Sequence, residues 1–175
     1  MANTFELIGS YTASGSPTSF SFTSIPQTYT NLKLIMSLRG SRSGLGYSNI
    51  SVLPNGSTSA IYDYKNIYIY AGSVINFGYT NDTEFGHYVD GADSTTNIFG
   101  NIEITFPNYT SSNYKSVSTE NTAENNSSSV GIPVFLGAGL WKSTSAITSI
   151  TINGSGNNYT FANSSTAYLY GIKNS

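Results

Sequence analysis

Leu32, Leu34, Met36 and Leu38 alternate with Lys33, Ile35, Ser37 and Arg39. This period of two restricts the fold more than any other feature. Only an extended strand sends successive side chains to opposite faces, so that one set enters a core and the other meets water. Residues 98–106 repeat the pattern, with Ile98, Gly100, Ile102, Ile104 and Phe106 on one side and Phe99, Asn101, Glu103 and Thr105 on the other. Pro107 follows and closes that strand, because it has no N–H for a ladder. Further strands are expected at 5–11, 19–23, 47–53, 114–119, 146–152 and 166–172, separated by turn clusters at 12–17, 54–57 and 153–157. Asn55-Gly56 is a hairpin signal, since a type I′ turn needs positive φ at both central residues. No stretch keeps apolar residues at helical spacing over three turns. The expected fold is all-β, an antiparallel β-sandwich of jelly-roll type with about eight to ten strands, and an up-and-down barrel is the alternative.

At 175 residues the chain is long enough to bury most of its apolar surface in one unit, and a single β-sandwich domain over 1–175 is expected. Only 9% of residues are charged, against roughly 25% in an ordinary domain. Ser, Thr and Asn fill about two positions in five, so neutral hydrogen-bonding groups carry the solubility. A net charge of −2 with seven scattered basic residues offers no patch for nucleic acid. There is no cysteine, which removes disulfides and thiolate metal sites. The longest apolar segment, 130–141, falls short of the roughly 20 residues of a membrane span. Residues 1–8 lack the basic and apolar regions of a secretory signal, so synthesis and folding in the cytoplasm are expected.

Chemistry-bearing residues are sparse. His87 is the single histidine; a Ser-His-acid triad would have to use it, yet no Gly-X-Ser-X-Gly elbow occurs, and a loop histidine is the expectation. Asp82, Glu84, Asp90 and Asp93 fall close together, but their spacing departs from a calcium loop, and a solvated acidic loop is expected. Nothing in the placement of the nine acids selects a pair for glycoside hydrolysis. Phosphate-cradling and zinc-binding motifs are absent. The reading is a non-enzymatic protein with no cofactor, no metal and no catalytic residues.

Two segments break simple alternation. In 61–70, Tyr62 and Tyr64 oppose Asp63 and Lys65, and then Ile67 and Ile69 oppose Tyr68 and Tyr70. Either this strand is covered on both sides by its own domain, or its tyrosine face meets a neighbouring subunit, for which tyrosine suits well. Segment 130–141 reads as a buried strand followed by a Gly-rich bend, with Trp141 closing one end of the core; an oligomer contact is the alternative. Tyr62, Tyr64, Tyr68, Tyr70, Phe135 and Trp141 are therefore the candidate interface residues. Near-neutral charge favours association, closed symmetry is its usual outcome, and a homo-oligomer, a trimer, is expected.

Three stretches carry a family resemblance. They are Phe22-Thr23-Ser24-Ile25-Pro26-Gln27-Thr28-Tyr29-Thr30-Asn31-Leu32-Lys33-Leu34; Phe99-Gly100-Asn101-Ile102-Glu103-Ile104-Thr105-Phe106-Pro107-Asn108-Tyr109, continuing to Glu124-Asn125-Asn126; and Gly139-Leu140-Trp141 through Ala146-Ile147-Thr148-Ser149-Ile150 to Ser165-Thr166-Ala167-Tyr168-Leu169-Tyr170-Gly171-Ile172. Together the chain resembles small β-rich virion structural proteins of tailed phages from marine and cyanobacterial hosts. The resemblance runs from Phe5 to Ile172 and is least familiar over 73–97. It implies a virion location after synthesis in the host cytoplasm. The leading expectation is a capsid decoration (cement) protein that docks on the major capsid protein or another virion protein of the assembled head. The alternative is a tail-fibre or receptor-binding module that recognises host surface glycans.

Overall fold

A computed structural model describes residues 4–70, 72–123, 134–156 and 159–173. These residues form twelve strands: β1 (Phe5–Thr12), β2 (Ser19–Phe22), β3 (Asn31–Leu38), β4 (Tyr47–Pro54), β5 (Tyr62–Tyr70), β6 (Ser73–Asp82), β7 (Phe85–Asp90), β8 (Gly100–Pro107), β9 (Lys115–Thr122), β10 (Val134–Trp141), β11 (Ile150–Gly154) and β12 (Thr166–Ile172). One sheet has eight strands in the order β1-β12-β3-β8-β9-β10-β5-β6, and the other has four in the order β2-β11-β4-β7. All named pairs are antiparallel.

Setting aside the consecutive pairs β5–β6 and β9–β10 leaves β1-β12-β3-β8 facing β2-β11-β4-β7. In that frame successive strands switch sheets in the order of a jelly roll. The two extra pairs lie together beyond β8 and widen only the larger sheet. They account for the excess over the expected strand count.

The alternation read from the sequence sets the core. Leu32, Leu34, Met36 and Leu38 of β3 and Ile102, Ile104 and Phe106 of β8 are all fully buried, and pack with Ile50 and Val52 of β4, Ile150 and Ile152 of β11, and Leu169 of β12. Asn55 and Gly56 both take positive φ, 53° and 62°, as expected of the turn. The strands on either side, β4 and β5, nevertheless belong to different sheets, so the turn changes layer and closes no hairpin. At the far edge β1 runs beside β12, with Phe5 opposite Ile172.

Segment 130–141 departs from expectation. Residues 130–133 lie outside the described residues, as do 124–126 of the resemblance. The rest is one continuous strand, β10, with no bend at its glycines. Gly137 and Gly139 sit on its inner face because neighbours occupy the space of a side chain. A Cβ on Gly139 would stand 2.5 Å from the Phe85 ring, and one on Gly137 would stand 2.3 Å from Asn66 Oδ1.

Candidate functional site

The outer face of the larger sheet brings together residues far apart in sequence. Ladder register aligns Lys33, Thr105, Ser118, Ala138, Lys65 and Gly78 across strands β3, β8, β9, β10, β5 and β6. A parallel row holds Ile35, Glu103, Glu120, Leu136, Ile67 and Asn76. Five strand spacings make each row about 24 Å long. Small side chains in the middle leave a groove of about 740 Å³ that runs from Lys33 and Glu103 to Lys65 and Ile67.

One wall of this groove is apolar. Leu136 is 51% exposed and Ile67, directly opposite it, is 53% exposed. Val134 and Val74 continue the apolar surface toward the end of the sheet and are also exposed. The floor is charged along its centre. Lys33 pairs with Glu103, and Glu120 lies directly opposite Glu103 on the next strand. Like charges in that position repel. Among the described residues Glu120 and Lys65 make no ion pair, so the face carries one unneutralised charge of each sign.

The interface residues expected from the sequence occupy the opposite, inner face. Tyr62, Phe135 and Trp141 are buried within this chain and belong to its own core. Tyr62 donates to the Ser57 carbonyl at 2.6 Å and packs edge-on against Phe85. Burial pushes its hydroxyl up to about 12. Tyr64, Tyr68 and Tyr70 are half-buried beside them. Tyr64 donates to Asp82 Oδ2 at 2.8 Å, and burial followed by that hydrogen bond pushes its hydroxyl well up. These rings continue outward as a ledge. Tyr64 lies 5.3 Å from Tyr79, Tyr68 lies 5.3 Å from Phe77 and 6.2 Å from Tyr88, and Tyr88 lies 5.3 Å from Tyr47. The Arg42 guanidinium sits 5.1 Å over the Tyr47 ring.

The sequence held a signal for the outward residues. Asp63 and Lys65 need water, and the period of two puts Ile67 and Ile69 on their side of β5. The tyrosine face is therefore the inward one.

His87 is a strand residue, not a loop residue. It lies on β7, 3% exposed, with its ring 5.6 Å from Phe135 and Nδ1 3.4 Å from Thr119 Oγ1. Its Nε2 has no hydrogen-bond partner among the described residues. Burial holds its pKa down at about 3, so the ring is a neutral packing group at ordinary pH.

The acids do not form a solvated loop either. Asp82 ends β6, and Asp90 ends β7 fully buried. Glu84 accepts from Ser51 and, at 2.9 Å, from Ser155. Asp93 accepts from the Gly44 amide. The carboxylates of Asp82, Glu84 and Asp93 each tie a different pair of segments together, and among the described residues no three His, Asp or Glu side chains converge as metal ligands.

Lys115 was invisible to sequence reasoning. Only 1% exposed, its ammonium donates to the carbonyls of Ser111, Asn113 and Ser145 at 2.7, 2.8 and 2.6 Å, with Ser143 at 3.4 Å. The Trp141 ring lies 5.5 Å away.

No protein-family model and no curated protein matches this chain. Among solved structures it aligns with the CBM2 module of the evolved Dit of Lactobacillus casei BL23 phage J-1, at 14% identity over 94% of this chain and 76% of that one, with a TM-score of 0.20. A score that low does not establish a shared fold.

Proposed function

We propose that this chain is a virion structural protein that docks the outer face of its larger sheet on another phage protein, reinforcing an assembled head as a decoration protein. The observation that carries the reading is the exposed apolar wall of Leu136, Ile67, Val134 and Val74 beside Glu120 and Lys65. Half-exposed Leu136 and Ile67 would each gain roughly 1 kcal/mol on being covered. A partner lysine or arginine beside Glu120 would also relieve its repulsion from Glu103. The sequence resemblance to phage virion proteins supplies the setting. A ligand that binds only the assembled shell stabilises that shell by mass action.

The test uses heads that lack this protein. Adding it back is expected to raise the temperature at which they release their genome, and Leu136→Asp is expected to abolish the rise. Equal head stability with and without the protein would overturn the reading.

A second reading, recognition of host glycans, is favoured by the aromatic ledge with Arg42 beside Tyr47. Sugar faces stack on such rings. Host-cell adsorption of the purified protein, lost in Tyr47→Ala, would support it over head reinforcement.

A further inference from the structure

Every open sheet exposes a row of main-chain donors and acceptors at each edge, and folded proteins blunt those edges to avoid unwanted pairing. Three of the four edges here are blunted. β1 carries a register shift between Leu7 and Gly9 and a charged pair, Glu6 with Lys173. β2 is only four residues long. On β7, the side-chain amide of Asn121 donates to the Tyr88 carbonyl.

The fourth edge, β6, has a register shift only at its end, between Tyr79 and Asp82, and pairs regularly over Ser73–Tyr79. It is the longest strand at ten residues and ends the larger sheet. Residues 73–81 contain no charge and no proline, and Val74 and Tyr79 are 72% and 53% exposed.

We propose that β6 pairs antiparallel with β6 of a second copy, making a twofold dimer with one continuous sheet. The strand is complementary to itself. A twofold axis through Phe77, perpendicular to the sheet, pairs the uncharged segment 73–81 with itself, with the regular run Ile75–Tyr79 at its centre, and leaves Asp82 outside the ladder. Phe77 then faces Phe77, and Ile75 faces Tyr79 on the inner side, where all three residues already lie beside Tyr64 and Tyr68. On the outer side Val74 faces Thr80 and Asn76 faces Gly78. Aromatic and β-branched cross-strand pairs of this kind are favourable, and no like charges oppose. The pairing covers the exposed ring of Tyr79 and the exposed Val74 at once. An edge that pairs with itself closes after two copies, which makes a dimer, and not the trimer expected from composition, the natural product of this edge. The dyad also sets the two outer-face grooves on the same side.

Light scattering across micromolar concentrations tests this on the whole chain, with a mass near twice 18.7 kDa expected. Hydrogen exchange is expected to show protected β6 amides in that dimer. The double variant Asn76→Lys/Thr80→Lys, at exposed outer positions, is expected to raise the dissociation constant at least tenfold, about 1.4 kcal/mol, while the circular dichroism of the fold is retained. The matched control on the opposite edge, Ser10→Lys/Thr12→Lys, is expected to leave the dimer intact. A monomer with unprotected β6 amides would overturn the proposal, as would a dimer lost in the control and kept in the β6 variant. If the β6 variant fails to fold, protection of the wild-type β6 amides decides the matter alone.

Discussion

At the scale of single residues, His87 and Lys115 are titratable groups placed where water is absent. His87 is held near a pKa of about 3 by burial, whereas the unfolded chain binds its proton near 6.5. The depressed value means that the unfolded state takes up the proton first as pH falls. The contribution to stability is whole above about 6.5 and is lost progressively toward about 3. Urea unfolding is expected to show this loss, at most roughly 4–5 kcal/mol, and His87→Gln is expected to flatten it. Lys115 is a cation whose burial is offset by four carbonyls. Burial lowers its pKa, yet its hydrogen bonds tie the 111–113 turn to the 143–145 turn. Lys115→Met keeps the stem packing and strands those carbonyls, so a loss of about 2–4 kcal/mol is expected in denaturant titration.

At the scale of elements, strands were legible where one face is buried and the other wet. β3 and β8 could be read from four or five alternating positions each, because an eight-residue strand at the centre of a sheet leaves no other use for that pattern. β6 and β7 could not. On β6 nearly every residue is half-buried or exposed, so burial imposes no alternation. β7 carries His87 among its inward residues and ends in a fully buried Asp90, which disguises a core strand as a polar loop. The glycines of β10 misled for a related reason. They suggest a bend, but their role is to admit Phe85 from the facing sheet and Asn66 from the neighbouring strand. Gly139→Val is therefore expected to cost about 2 kcal/mol through displacement of the Phe85 ring, measured as a shift of the urea midpoint. Gly15, whose added Cβ would meet nothing within 4 Å, could not show such a clash; its φ of 72° leaves only backbone strain there. The proposed docking face was half legible. The sequence points to segment 61–70 and to Phe135 and Trp141, but the outward side of β5 and β10 belongs to Ile67 and Leu136.

At the scale of the whole molecule, the two sheets are unequal, and the inequality sorts the roles. The four-strand sheet and its four partners enclose most of the core, while β9, β10, β5 and β6 extend the larger sheet and carry the apolar wall of the groove, part of the aromatic ledge and the open edge. Surface substitution there should separate function from stability. Leu136→Asp is expected to change unfolding free energy by less than about 0.5 kcal/mol while removing attachment to heads, read by sedimentation of particles with bound protein. The arrangement of β1 and β12 has a mechanical consequence as well. Because Phe5 lies opposite Ile172, a tether on each end of the described chain would load the ladder like the teeth of a zipper, one bond after another. An optical trap pulling there should find the molecule yielding at low force, whereas a tug applied through a single end would spread across many bonds together. Attachment through a broad face, as proposed, would spare the chain that weakest direction.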